Sequence, residues 1–175
     1  RQVASFDWTL EQAISNHNEL AIKELNSVKP FDPTDINDVD AKDKWIGHFG
    51  GFYKSQEKYQ EFRSNVGKCP EYNKQDVQNF MQGLQWSSDT IGITAANYGY
   101  SLFRYLPKVE IPVYIFAGRH DHQTPSKIAK EYYDMVDAPK KGFVWFENTA
   151  HMIPFAEPDK FSAELINVAK DVLSL

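Results

Sequence analysis

Apolar residues along this chain keep a helical period through the first two thirds and alternate between strand-like runs and helical spacing in the last third. Between residues 6 and 28, Leu10, Ile14, Ala21, Ile22, Leu25 and Val28 recur at helical intervals, and over 73–84 Val77, Phe80, Met81 and Leu84 share one helical face. In the last third the apolar residues form two short continuous runs instead, Val113-Tyr114-Ile115-Phe116 and Phe143-Val144-Trp145-Phe146. Each run has strand composition and ends in a polar turn. Between them Ile128, Ala129, Tyr132, Tyr133 and Val136 return to helical spacing, with Thr124 as the expected N-cap and Pro125 at the first helical position. Strand, crossover helix and strand make a βαβ unit, whose strands must run parallel with their carboxyl ends on one side. A last helix is expected from Pro158, its stripe of Phe161, Leu165, Val168 and Val172 packed on the sheet.

Local signals refine the helical part. Thr9 and Gln12 are spaced as a capping box, and Asn16-His17-Asn18 should divide the first segment into two helices, with His17 a polar residue at the junction and Asn18 the cap of the second. Residues 30–43 read as a turn-rich acidic stretch; Asp32, Asp35, Asp38 and Asp40 lack the central glycine and terminal glutamate of an EF-hand. Trp45, Ile46 and Phe49 suit a short helix ended by Gly50-Gly51, followed by the aromatic residues Phe52, Tyr53, Tyr59 and Phe62. Ser87 or Ser88 is expected to begin a further helix. As far as Leu106 the chain reads as helix and loop, without alternating strands.

Asp121 and His151 stand in the turns after the two strand-like runs, so both should face one crevice. The chain has 175 residues, 42% of them hydrophobic and 14% aromatic, enough for a sizeable core. A net charge of −5 without a basic run excludes a nucleic-acid or anionic-membrane surface, and no apolar stretch reaches the length of a membrane span. A small-molecule or peptide partner is expected. The single cysteine, Cys69, has no internal disulfide partner and fits a reducing compartment, so a cytoplasmic location is expected. The first residue is Arg1, which leads us to expect a polypeptide cut from something longer.

The string PVYIFAGRHDHQTP, the thirty-residue step to ENTAHMIPFAEPDKF and the closing amphipathic helix resemble the C-terminal end of an α/β-hydrolase, in particular one similar to proline iminopeptidases. That resemblance implies an α/β fold whose sheet is incomplete in this chain. Residues 1–106 would be a helical cap or lid, and residues 107–175 a strand–helix–strand–helix part of the hydrolase core. It implies hydrolysis of an ester or amide, such as release of an N-terminal residue from a short peptide. Asp121 and His151 match the last two members of a Ser–Asp–His order, the carboxylate orienting the imidazole and the imidazole moving the proton.

The third member has no match. No G-x-S-x-G string occurs; Gly99-Tyr100-Ser101-Leu102-Phe103 lacks the second glycine, and Ser101 stands too close before Asp121 for the intervening strands. Cys69, before Pro70 in a polar loop, reads as an ordinary thiol. The nucleophile is therefore expected in an absent N-terminal half, the chain alone is expected to be inactive, and that half or a second copy is expected to cover the sheet edge. The alternative is a non-catalytic binding module on a hydrolase-like scaffold. No cofactor is expected, and a metal site from His120, Asp121 and His122 lacks separated ligands that could surround an ion. Glu57, Glu61 and Glu71 are available acidic groups with no role assigned.

Overall fold

The two apolar runs pair as parallel strands, β1 (Val113–Gly118) and β2 (Lys141–Phe146), in a register that sets Val113 opposite Lys141 and Gly118 opposite Phe146. The computed structural model describes residues 1–65, 68, 70–87, 90, 99 and 101–173. Cys69, Ser88 and the side chain of Phe62 lie outside the described residues. The architecture is mixed α and β, mostly helical, with one two-stranded sheet among the described residues. Ahead of the sheet come α1 (Gln2–Ser15), α2 (Glu19–Ser27), α3 (Ile36–His48), α4 (Gln56–Asn65), α5 (Lys74–Ser87) and a single turn, α6 (Leu102–Tyr105). The crossover is α7 (Ser126–Met135); a single turn, α8 (Ile153–Ala156), and α9 (Pro158–Leu173) follow β2.

Neighbouring residues of a parallel pair point to the same face, so the register separates two sets of side chains. Phe143 and Trp145 share one face, where Tyr133 of α7 meets Phe143 edge-on at 5.2 Å. Phe116 and Phe146 share the other, where Phe161 of α9 meets Phe116 at 5.8 Å and Lys160 lies over Phe146. The crossover and final helices thus flank opposite faces. Farther along α9, Asp171 accepts from Tyr114 and pairs with Lys140. The stripe on α9 is covered only in part: Phe161 and Val168 are half-buried, whereas Leu165 and Val172 face outward. Two strands are only about 5 Å apart, too narrow a platform for a 16-residue helix.

A separate core forms where α1, α2 and α3 meet, from Phe6, Ala13, Ala21, Leu25 and Trp45. Asn18 caps α2 by accepting from Ala21 N at 3.0 Å, and His17, at φ 51°, makes the break before it. Thr9 does not cap α1, which starts at Gln2; its buried hydroxyl donates to Ser5 O at 2.8 Å within the helix. The acidic stretch is likewise more helical than its composition indicates. Asp35 caps α3 through Asn37 N at 2.8 Å, and Asp32 closes the preceding turn on Thr34, so α3 begins at Ile36. Asn73 and Asp76 form a reciprocal cap on α5, which includes Ser87 and so starts no new helix there. The α5 stripe of Phe80, Met81 and Leu84 is exposed.

Glycine ends α3 as its sequence implies. Gly50 has φ 84°, Gly51 N bonds Ile46 O at 2.9 Å and Gly50 N bonds Gly47 O at 3.4 Å, the two bonds of a Schellman turn. Lys42 is fully buried in the same helix, paired with Asp43 at 2.7 Å and hydrogen-bonded to Gln2. Among the described residues no helix is long and apolar enough to cross a membrane.

At the carboxyl end of the sheet the two turns touch backbone to backbone. A Cβ added at Gly118 would stand 2.0 Å from Ala150 O and 2.8 Å from Thr149 O. We expect Gly118→Ala to destabilise the fold by about 3 kcal/mol, because the obstacle is main chain that cannot move without opening the turn. Urea denaturation checks this; an unchanged midpoint would show that the turns separate freely.

Candidate active site

The ladder continues past both strands and brings their turns together. Arg119 N donates to Phe146 O and His120 N to Thr149 O, each at 2.9 Å. Arg119 also grips Glu147 with two bonds of 2.8 and 2.7 Å and lies over the Trp145 ring at 3.5 Å. Its hydrogen bond holds the Glu147 carboxyl below the usual range. This pair is exposed, so its value is geometric more than energetic. The first turn folds back on itself through Asp121 N to Gly118 O and Ser126 N to Asp121 O, both 3.2 Å.

Asp121 and His151, singled out by position in the sequence, lie within hydrogen-bond distance. His151 Nδ1 is 3.0 Å from Asp121 Oδ2. The aspartate is almost fully buried, while about a third of the imidazole (34%) remains exposed. Thr124 supplies the remaining bonds: its N–H donates to Oδ1 at 2.9 Å and its hydroxyl to Oδ2 at 2.8 Å. Thr124 is not the cap of α7. Its hydroxyl lies between Asp121 Oδ2 and His151 Nδ1, Pro125 takes the cap position without a side-chain bond, and the helix starts one residue later than the spacing predicts, at Ser126.

An ionised carboxylate offers only acceptors, so the nitrogen facing it must carry the proton. His151 is therefore read as the Nδ1–H tautomer, with the lone pair of Nε2 free to take up a proton. Among the described residues Nε2 has no hydrogen-bond partner. Beside the ring stands Phe52, its centroid 5.3 Å away.

The helical part holds both turns from outside. Gly51 O accepts from His122 N at 3.0 Å and Gln123 N at 3.3 Å, and Phe52 O accepts from His151 N at 3.0 Å. Trp8 of α1 stacks on His122 at 3.9 Å with the rings 5° from parallel, and Gln123 donates to Asp43 at 3.1 Å. Periodicity does not reveal Gly51, Phe52 or Trp8, because their partners are remote in sequence, and it does not show that Thr124 turns back onto Asp121 three residues earlier. Ser101 precedes α6 and makes no cap bond; no hydroxyl of a described serine bonds His151. His122 turns toward Trp8, and among the described residues no group of three His, Cys, Asp or Glu side chains could hold a metal ion.

Burial lowers the pKa of His122 from its ordinary 6.5, helped by His120 and opposed by Asp121. The unfolded chain then binds a proton at a higher pH than the folded one, so stability should fall as pH drops through 6.5 toward the lowered value. Above about pH 7.5 both states are neutral and the contribution vanishes. His122→Phe, which keeps a ring against Trp8, should lose less urea resistance between about pH 7.5 and 5.5 than the parent. Equal losses would rule out His122 as their source.

The chain is similar to "Probable aminopeptidase YbaC" of Bacillus subtilis, with 32% identity over 100 residues. The matched region takes in 57% of this chain and 31% of that protein, so the chain spans less than a third of the relative. No family model and no solved structure matches. By this likeness the chain is related to part of a protein described as a peptidase, which is a hydrolase.

Proposed function

We propose that Asp121 and His151 are the orienting carboxylate and the proton carrier of a serine hydrolase of the α/β-hydrolase superfamily, similar to proline iminopeptidases. The observation that carries this reading is the 3.0 Å contact between His151 Nδ1 and Asp121 Oδ2 at the shared carboxyl end of two parallel strands. Support comes from the aminopeptidase name of the similar protein. Residues 1–106 act as a cap beside the site, and residues 107–175 are the late part of the catalytic core. The substrate is an ester or an amide, including the first peptide bond of a short peptide.

In this mechanism the serine belongs to polypeptide beyond these 175 residues. As its oxygen attacks the substrate carbonyl, His151 Nε2 takes the hydroxyl proton, and the imidazolium then gives it to the departing alcohol or amine. A water repeats the cycle on the acyl-enzyme, again losing its proton to Nε2. Asp121 stays ionised, holding the Nδ1–H and offsetting the positive charge of the ring. Burial of Asp121 strengthens that electrostatic interaction relative to water.

Joined to its serine-bearing segment, the chain should hydrolyse a p-nitrophenyl ester or an aminoacyl anilide. Asp121→Asn should lower kcat by about four orders of magnitude, and His151→Ala by at least as much. Undiminished hydrolysis after His151→Ala refutes the assignment. The 175-residue chain by itself should give no turnover above the uncatalysed rate.

A further inference from the structure

We infer that Thr124 is a positioning residue of the Asp121–His151 pair, its hydroxyl reinforcing the carboxylate's preference for a protonated Nδ1 and holding that preference against the other tautomer; the functional importance of this rests on the hydrolase reading above. Three polar atoms form a small triangle. Thr124 Oγ1 is 2.8 Å from Asp121 Oδ2, His151 Nδ1 is 3.0 Å from the same oxygen, and Thr124 Oγ1 is 3.2 Å from Nδ1. A hydroxyl has one hydrogen and two lone pairs. With its hydrogen on the charged carboxylate, the stronger acceptor, Thr124 turns a lone pair toward Nδ1. A deprotonated Nδ1 would leave three electron-rich atoms sharing one hydrogen. A protonated Nδ1 satisfies all three, and its N–H then has two acceptors.

Local structure holds the hydroxyl in place. Thr124 precedes Pro125, which restricts its backbone to extended conformations, and its branched Cβ limits χ1. Its own N–H is held on Asp121 Oδ1 at 2.9 Å. One residue therefore binds both oxygens of the carboxylate and prevents it from rotating away from the ring. The resulting tautomer leaves the Nε2 lone pair for the incoming proton. Loss of the hydroxyl should leave the turn folded, because the backbone bond to Oδ1 remains.

The test is nitrogen-15 NMR of His151 in the 175-residue chain, at a pH where the ring is neutral. The parent should show a protonated Nδ1 and a pyridine-like Nε2. Thr124→Val should raise the Nε2–H population severalfold and speed exchange of the Nδ1 proton with water about tenfold. Thr124→Ser should restore both. Unchanged shifts and exchange in a folded Thr124→Val overturn the inference. If that variant does not fold, the parent decides, since a neutral ring protonated mainly on Nε2 overturns it equally. None of these readouts depends on turnover. Absence of hydrolysis from the longer polypeptide with these shifts as expected would remove the hydrolase reading and leave the role of Thr124. Hydrolysis with shifts indifferent to Thr124→Val would do the reverse.

Discussion

Parallel pairing of β1 and β2 is the constraint on which the rest of the site depends. A crossover through α7 leaves both strands pointing the same way, so the chain emerges from each at the same end of the sheet. Two polar turns are thereby forced into one small volume, and they fit only because Gly118 has no side chain to meet Ala150 O. Once Arg119 and His120 have extended the ladder onto Phe146 O and Thr149 O, Asp121 and His151 are brought into bonding distance. A one-residue slip would reverse the faces of Phe116 and Phe143 and carry Asp121 away from His151.

The helical part joins this arrangement through a polar junction. Its apolar core lies among α1, α2 and α3, whereas the carbonyls of Gly51 and Phe52 make the backbone bonds to His122, Gln123 and His151. Those carbonyls are presented by the Schellman turn that ends α3, so the left-handed conformation of Gly50 has a consequence two residues later in the site. A second connection runs from buried Lys42 through Asp43 to Gln123. A buried ammonium without its carboxylate would cost several kcal/mol, which ties the placement of Asp43 to the stability of α3. The stack of Trp8 on His122 closes the junction from α1.

Around Asp121 the hydrogen-bond accounting is nearly complete. Its oxygens receive the Thr124 amide, the Thr124 hydroxyl and, in the reading adopted above, the His151 Nδ1–H. Buried charge is tolerated when its lone pairs are occupied in this way. The imidazole differs, since among the described residues one nitrogen is engaged and the other has no partner. In the proposed hydrolase that asymmetry would serve proton transfer, and it separates His151 from His122, whose stacked, half-buried ring has its pKa lowered by burial.

Much of this was legible in the sequence, and the rest was not, for a single physical reason. Strands β1 and β2, the crossover helix, the glycine end of α3 and the Asn18 cap depend on residues a few positions apart, and periodicity and capping chemistry report those directly. Parallel pairing followed because a strand–helix–strand crossover allows little else. The sequence also singled out Asp121 and His151, as the polar residues closing two similar turns. The remainder turned on which of several near partners a polar side chain takes and on how distant segments meet. Thr9 prefers a carbonyl within its own helix, the Thr124 hydroxyl sits between Asp121 and His151 and does not cap α7, and aspartates that resemble a loop start α3. The need for glycine at 118, the anchoring of His151 on Phe52 O and the incomplete cover on α9 arise only when elements meet. A polar side chain has several partners within reach of its own sequence, and only tertiary packing selects among them.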